Sequence, residues 1–230
     1  KMDGSWCYSS IEEAHQQSLR QIHLYHQWRQ AGHLTITDGS RKTKASNLEV
    51  LLLLEGAAGI RTVDDIHDFY THGIRILALT WVGENQWAGG DQSGGDVTAE
   101  GLQLLTHADN LGMVHDVSHL SQRAFWTVLE KTHRPKIASH SNCRSLLPGK
   151  RHPERHLSDQ QILALAKVNG VIGINLFAKF LISAGQATLE DVVRHIQHIA
   201  HLTGRTDMVG LGSDMDGGFY RPGPARGYYP

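Results

Sequence analysis

Two neighbouring stretches decide the fold: Gly112-Met113-Val114-His115-Asp116-Val117-Ser118-His119 and Pro135-Lys136-Ile137-Ala138-Ser139-His140-Ser141. Each is a short apolar run that stops on a polar cluster containing a histidine. Both read as strands, and Gln122 to Thr132 between them reads as a helix. Strand, helix and parallel strand, with a histidine at each strand's C-terminal end, is how an α/β barrel carries metal ligands at the rim of its active face.

Working outward, the same alternation continues in both directions. Upstream, Ile11 to Gln30 reads as a helix with Gly32 just past its end, and Asn47 to Leu54 as a β-run leading into Glu55-Gly56. No strand is expected ahead of that run. Val63 to Thr71 reads as a helix with Thr62 as its N-cap, and Gly73 to Thr80 as a strand. A Gly-rich loop, Gly83 to Gly95, precedes a helix from Thr98 to Asn110. Downstream of His140 a loop rich in Pro, Arg and His runs from Asn142 to Leu157. Ser158 then caps a helix over Asp159 to Val168, and Gly170 leads into a strand from Val171 to Phe177. Leu189 to Thr203 is an amphipathic helix closed by Gly204, and Met208 to Ser213 is the last strand. The apolar runs of these strands are nearly continuous, as expected of parallel strands buried on both faces.

That pattern predicts an α/β fold with six βα units, whereas a closed (β/α)8 barrel has eight and takes ~250 residues. An open doubly wound sheet and a barrel lacking two strands both satisfy it. The chain starts at Lys1 rather than Met and ends in a loop-like tail, so the expectation is a partial barrel. Residues 1–230 then form a single domain, with 221–230 a loop or truncated tail.

Composition narrows the function. A net charge of −1 leaves no basic field for nucleic acid, so that partner is not expected. The longest apolar run, Val50 to Leu54, is far short of the ~18 residues of a membrane span. Cys7 and Cys143 are too few for a disulfide scaffold and lack CxxC spacing, which makes a reducing, cytoplasmic location the expectation. The chain's 16 histidines are its compositional outlier. Most of them, such as His15, His23 and His26, lie among charged residues on helical segments and are not expected to be ligands. Position at a strand end separates His119 and His140 from the rest.

The polar residues at the ends of the six strands are Glu55, Trp81, His119, His140, Asn175 and Asp214. A barrel points all of them at one mouth. Imidazole nitrogen and carboxylate oxygen are the donors of hydrolytic zinc sites, and a carboxylate bridging two metals holds them ~3.5–4 Å apart. Asp214-Met215-Asp216-Gly217-Gly218 lacks the remaining ligand spacing of a calcium loop. Arg155 suits recognition of a substrate carboxylate, though beside Arg144, Lys150 and Arg151 it also reads as a surface arginine.

These residues resemble the renal (membrane) dipeptidase family of zinc metallopeptidases. The matching segments are LLLLEG at 51–56, IRILALTW at 74–81, GMVHDVSHLS at 112–121, IASHSN at 137–142, RHLSD at 155–159, GVIGINLF at 170–177 and MVGLGSDMDG at 208–217. The resemblance implies a (β/α)8 barrel with a two-zinc site that hydrolyses a dipeptide to free amino acids through a metal-bridging hydroxide. It implies that Glu55 bridges the zincs, that His119 and His140 bind one of them, and that Asp214 moves a proton beside the bridging water. It implies that Arg155 binds the dipeptide's C-terminal carboxylate, with Trp81, Asn175 and Asp214 also facing substrate. A dipeptide is the expected small-molecule partner, and a homodimer is a compatible assembly.

Two departures accompany the match. The family's His-x-Asp motif, on its first barrel strand, has no counterpart ahead of Glu55; the six strands correspond to the third to eighth of the family. On this reading one of the two zincs loses its remaining ligands, and residues 1–230 by themselves are expected to be inactive or poorly folded. In addition, Trp81 stands where renal-type members carry a substrate-contacting histidine, as in a bacterial-type branch, while Asn85 and Trp87 still align. Another metal-dependent amidohydrolase, and a degenerate metal-free barrel with a binding role, are the competing readings.

Overall fold

The computed structural model describes residues 8–40, 47–149 and 152–215. The tail from 221, Cys7 and Asp216 therefore lie outside the described residues. Fourteen elements matter for the site. They are α1 (Ile11–Gln30), β1 (Leu34–Ile36), β2 (Leu48–Val50), β3 (Leu52–Glu55), α2 (Asp65–Thr71), β4 (Ile74–Ala78), α3 (Ala99–Leu111), β5 (Val114–Asp116), α4 (Gln122–Lys131), β6 (Lys136–Ala138), α5 (Asp159–Lys167), β7 (Val171–Ile174), α6 (Leu189–Thr203) and β8 (Val209–Leu211).

Strands β3 to β8 form one six-stranded sheet in which every strand pairs in parallel with its neighbour in sequence. That order separates the two architectures left open by the sequence. A doubly wound sheet reverses its winding at a switch point; a barrel wall never does. The chain is therefore α/β of the barrel type, with β3 and β8 as the edges of the wall among the described residues.

The helices cover the wall through apolar stripes at helical spacing. Ala124, Phe125 and Val128 of α4, Ile162 and Leu165 of α5, and Val192 and Ile199 of α6 are buried. Caps bound these helices, with Ser158 and Gly204 among them as the sequence indicated. Thr98 accepts from Gly101 N, Ser121 from Ala124 N, and Ser158 forms a capping box with Gln161; each such cap contributes about 1 kcal/mol. Gly204 closes α6 in a left-handed conformation at φ 68°, which costs a glycine nothing.

Three expectations need correction. The run from Asn47 to Leu54 is two strands: Leu48–Val50 pairs with Leu34–Ile36 in a separate parallel sheet, and Leu52–Glu55 joins the barrel wall. A strand, β1, thus precedes Glu55 after all; its three residues are too short for a periodicity argument. Thr62 does not cap α2. The helix starts at Asp65, whose carboxylate takes Arg61 N and the Arg61 guanidinium instead. Finally, the two histidine strands end sooner than their apolar runs do, at Asp116 and Ala138. His119 and His140 stand on the turns beyond, which frees their backbones from the ladder.

Candidate metal centre and active site

Glu55 is the last residue of β3, and Trp81, His119, His140, Asn175 and Asp214 follow the C-terminal ends of the other wall strands, as the sequence predicted. The wall brings the first donors close together. Glu55 Oε1 lies 3.2 Å from His119 Nε2 and 3.1 Å from His140 Nε2. The two imidazole nitrogens are 3.0 Å apart. Among the described residues these three side chains form the cluster with donor atoms suited to a metal ion.

The hydrogen-bond chemistry behind each ring specifies which nitrogen faces the cluster. His119 Nδ1 lies 2.9 Å from Asp91 Oδ2. A carboxylate only accepts, so Nδ1 carries the ring's first proton and Nε2 is the nitrogen left to present a lone pair. His140 reaches the same state by a different route. Ser139 Oγ donates its one proton to Asp116 Oδ2 at 2.5 Å, so it accepts from His140 Nδ1 at 2.7 Å. Two lone pairs and a carboxylate oxygen therefore converge with no donor between them. Such a trio is repulsive unless a cation sits among it. Tetrahedral zinc with ligands at ~2.0–2.1 Å places them ~3.3 Å apart, so the spacing fits a metal as well as the chemistry does. Without a metal a proton can take its place: burial works to raise the pKa of Glu55, but hydrogen bonds and charge from His119 and His140, each donating through a protonated Nε2, outweigh it and hold the carboxyl well below the usual carboxylate range. Glu55 is thus an anion at neutral pH.

Backbone strain marks the same rim. His119 and Asp214 adopt left-handed conformations at φ 64° and 57°, and Val82, next to Trp81, does so at 62°. Such positions cost of order 1–3 kcal/mol and persist only where surroundings enforce them. For His119 the enforcement is visible: its carbonyl accepts from Asp91 N and Thr80 Oγ1, both at 2.9 Å. Asp214 Oδ2 accepts from Asn175 Nδ2 at 3.0 Å. Asn175 is itself locked by a reciprocal pair with Asn142, whose Oδ1 accepts from Asn175 N while its Nδ2 donates to Asn175 O.

Arg155 is not the surface residue its basic neighbours suggested. It is 6% exposed. Its terminal nitrogens donate to His140 O at 2.8 Å and Ser141 Oγ at 3.3 Å, and its Nε lies 3.8 Å from Asp91 Oδ2. Burial pulls its pKa down, while the charges of Asp91, Asp214, Glu55 and Asp116 oppose this. Trp81 is half exposed, with its ring centroid 6.4 Å from that of His119. Asn85 and Trp87 act as staples of the loop rather than as site residues. Asn85 bonds Leu79 O, Trp87 N and Ala88 N, and Trp87 Nε1 donates to Ala57 O.

Sequence reasoning missed Asp91, Asp116 and Ser139. Asp116 and Ser139 lie inside the deciding stretches, and their place one to three residues before the histidines was the available signal. Asp91 had a fainter one, a lone carboxylate between glycine pairs in Ala88-Gly89-Gly90-Asp91-Gln92-Ser93-Gly94-Gly95.

Comparison with known proteins identifies relatives of the chain. A Klebsiella pneumoniae protein, described as an uncharacterized protein in the pqqA 5' region, is 32% identical over 80% of this chain and 71% of its own length. An uncharacterized dipeptidase of Schizosaccharomyces pombe is 33% identical over 70% of this chain and 41% of its own length. Among solved structures, a metallo peptidase from Rhodobacter sphaeroides, liganded with a phosphinate mimic of the dipeptide L-Ala-D-Ala, superposes with a TM-score of 0.81 at 26% identity. The match covers 90% of this chain and 63% of that one. The chain thus spans less than two thirds of the length of several proteins it matches. The family model described as membrane dipeptidase (peptidase family M19) matches residues 5–223. With that match covering nearly the whole chain, it belongs to the membrane dipeptidase family.

Proposed function

We propose that the protein containing this chain is a metal-dependent dipeptidase, with zinc as the metal, that hydrolyses a dipeptide to two free amino acids. The observation that carries this reading is the convergence of Glu55 Oε1, His119 Nε2 and His140 Nε2 as three acceptors within 3.0–3.2 Å of one another. The family match and the dipeptide mimic bound by the Rhodobacter sphaeroides neighbour support the substrate class. A metal held there supplies a Lewis acid for the scissile carbonyl and activates water as the nucleophile.

The remaining work falls to this chain's own side chains. Glu55, His119 and His140 would hold the metal. Asp214, fixed by Asn175, stands at the end of β8 where a carboxylate takes the nucleophile's proton and passes it to the leaving amine. Arg155 provides the positive charge for the substrate's C-terminal carboxylate. Trp81 forms an apolar wall on the open side of His119 and shapes which dipeptides enter. The cationic Arg155 favours a substrate with a free carboxylate over a cyclic amide. The aimed lone pairs count against a barrel that has lost its metal.

Metal analysis of the purified protein together with a dipeptide hydrolysis assay tests the reading. Bound zinc is expected, with turnover that a chelator removes and zinc restores. His140→Ala should lose metal affinity by more than the ~10–100-fold that removing a ligand's supporting partner costs. Absence of metal binding, or cleavage of lactams but not dipeptides, would overturn it.

A further inference from the structure

Among the described residues, Asp91 has a carboxylate oxygen within 4 Å of both His119 and Arg155. It lies in the loop between β4 and α3, 28 residues before His119, and its side chain is fully enclosed at 0% exposure. Its Oδ2 accepts from His119 Nδ1 at 2.9 Å and lies 3.8 Å from Arg155 Nε. Its backbone N–H donates to His119 O, again at 2.9 Å. Asp91 and His119 therefore hold each other twice, once through side chains and once through the backbone. Asp91 Oδ1 and Arg155 Nε are both buried without a hydrogen-bond partner.

A sealed carboxylate carries a penalty of several kcal/mol unless charges or donors compensate it. Here the compensation comes from His119 on one side and Arg155 on the other. Moving either away leaves the Asp91 charge poorly paired, so their positions are linked. We propose that Asp91 is a positioning residue that orients the metal-binding imidazole of His119 and the carboxylate-binding guanidinium of Arg155 together. A carboxylate on Nδ1–H fixes the ring's tautomer and makes Nε2 a stronger ligand. The same charge keeps the Arg155 guanidinium turned along the floor of the site, where its terminal nitrogens meet His140 O and Ser141 Oγ. The Arg155 half of this inference rests on the dipeptidase reading; the His119 half does not.

Asp91→Asn in the purified protein, checked for folding by circular dichroism, separates the two halves. Zinc affinity measured by chelator competition is expected to weaken ~10–100-fold. At saturating zinc, KM for a dipeptide should rise more than kcat falls, and the KM penalties of Asp91→Asn and Arg155→Lys should not add. Nitrogen NMR of the metal-free wild type, which needs no variant to fold, should place the His119 proton on Nδ1 in a strong bond to a carboxylate. A His119 Nδ1 that carries no proton, unchanged zinc affinity in Asp91→Asn, or fully additive KM effects each overturn the proposal. A wild type that binds no zinc overturns the proposed function instead, and the NMR result still decides the role of Asp91.

Discussion

His119 and His140 present the same nitrogen to the same carboxylate, yet they are held in different ways. The His119 arm is held at long range and by charge: Asp91 arrives from a loop 28 residues upstream, and the backbone at His119 is forced to φ 64°. The His140 arm is held locally and by packing. Its support is the adjacent Ser139, which passes the hydrogen bond to Asp116 on the neighbouring strand, and its backbone N–H donates to Ser118 Oγ. The Ser139 carbonyl is wedged between Gly173 and Gly212, where an added Cβ on either glycine would come within 2.0 Å of the oxygen. The difference teaches that one cluster geometry is secured by two kinds of force, so the arms should respond to different perturbations.

The largest effect is expected from crowding the packed arm. Gly173→Ala or Gly212→Ala must push Ser139, and His140 with it, away from Glu55. Overpacking of this kind costs about 1–3 kcal/mol or more. Chemical denaturation should register that loss, and zinc affinity should fall alongside it. A stable variant with full zinc affinity would break the claim that packing secures this arm.

A smaller effect should follow from cutting the hydroxyl relay. Ser139→Ala leaves the backbone wedge intact but removes the acceptor for His140 Nδ1–H. Zinc affinity is expected to drop about tenfold, near the lower end of the range for such partners. It should fall less than in Asp91→Asn, because packing still aims the ring. Equal losses in the two variants would show that the arms are alike after all.

The smallest effect concerns a third histidine, His115, one residue before Asp116 on β5. Its Nε2 lies 2.6 Å from Asp109 Oδ1, a His–carboxylate pair much like that of His119. Among the described residues His115 is not part of the Glu55–His119–His140 cluster, so the pair reads as structural. Burial pulls the His115 pKa down and Asp109 only partly opposes this, so the ring stays neutral in the fold below the ordinary histidine range. The unfolded chain then binds a proton that the folded one does not. The stabilising contribution is full above about pH 6.5 and shrinks as pH falls towards the depressed folded value. Thermal melts of metal-free His115→Gln should therefore show a flatter dependence on pH below that point than the wild type does.

Parts of this design were legible before any coordinates. Continuous apolar runs ending in Glu55, His119, His140 and Asp214 placed the donors on strand ends, because parallel strands buried on both faces leave their polar residues nowhere else to go. Helix ends such as Thr98, Ser158 and Gly204 were readable because capping is a local matter of a few residues. Strands β1 and β2 were harder to see, since three residues carry too little periodicity. Arg155 misled for a related reason. Its neighbours are basic, and nothing along the chain reveals that Asp91 and Phe180 enclose it.

The sequence by itself determined the type of fold and the identity of the ligand-type residues, since both follow from short-range patterns of apolar and polar side chains. Only the tertiary structure decided that the sheet winds as a barrel wall, which nitrogen of each histidine faces Glu55, and what stands behind each ring. Those are properties of pairs brought together across loops and strands. A hydrogen bond between residues 28 apart depends on how the backbone is packed rather than on what lies beside each residue in the chain.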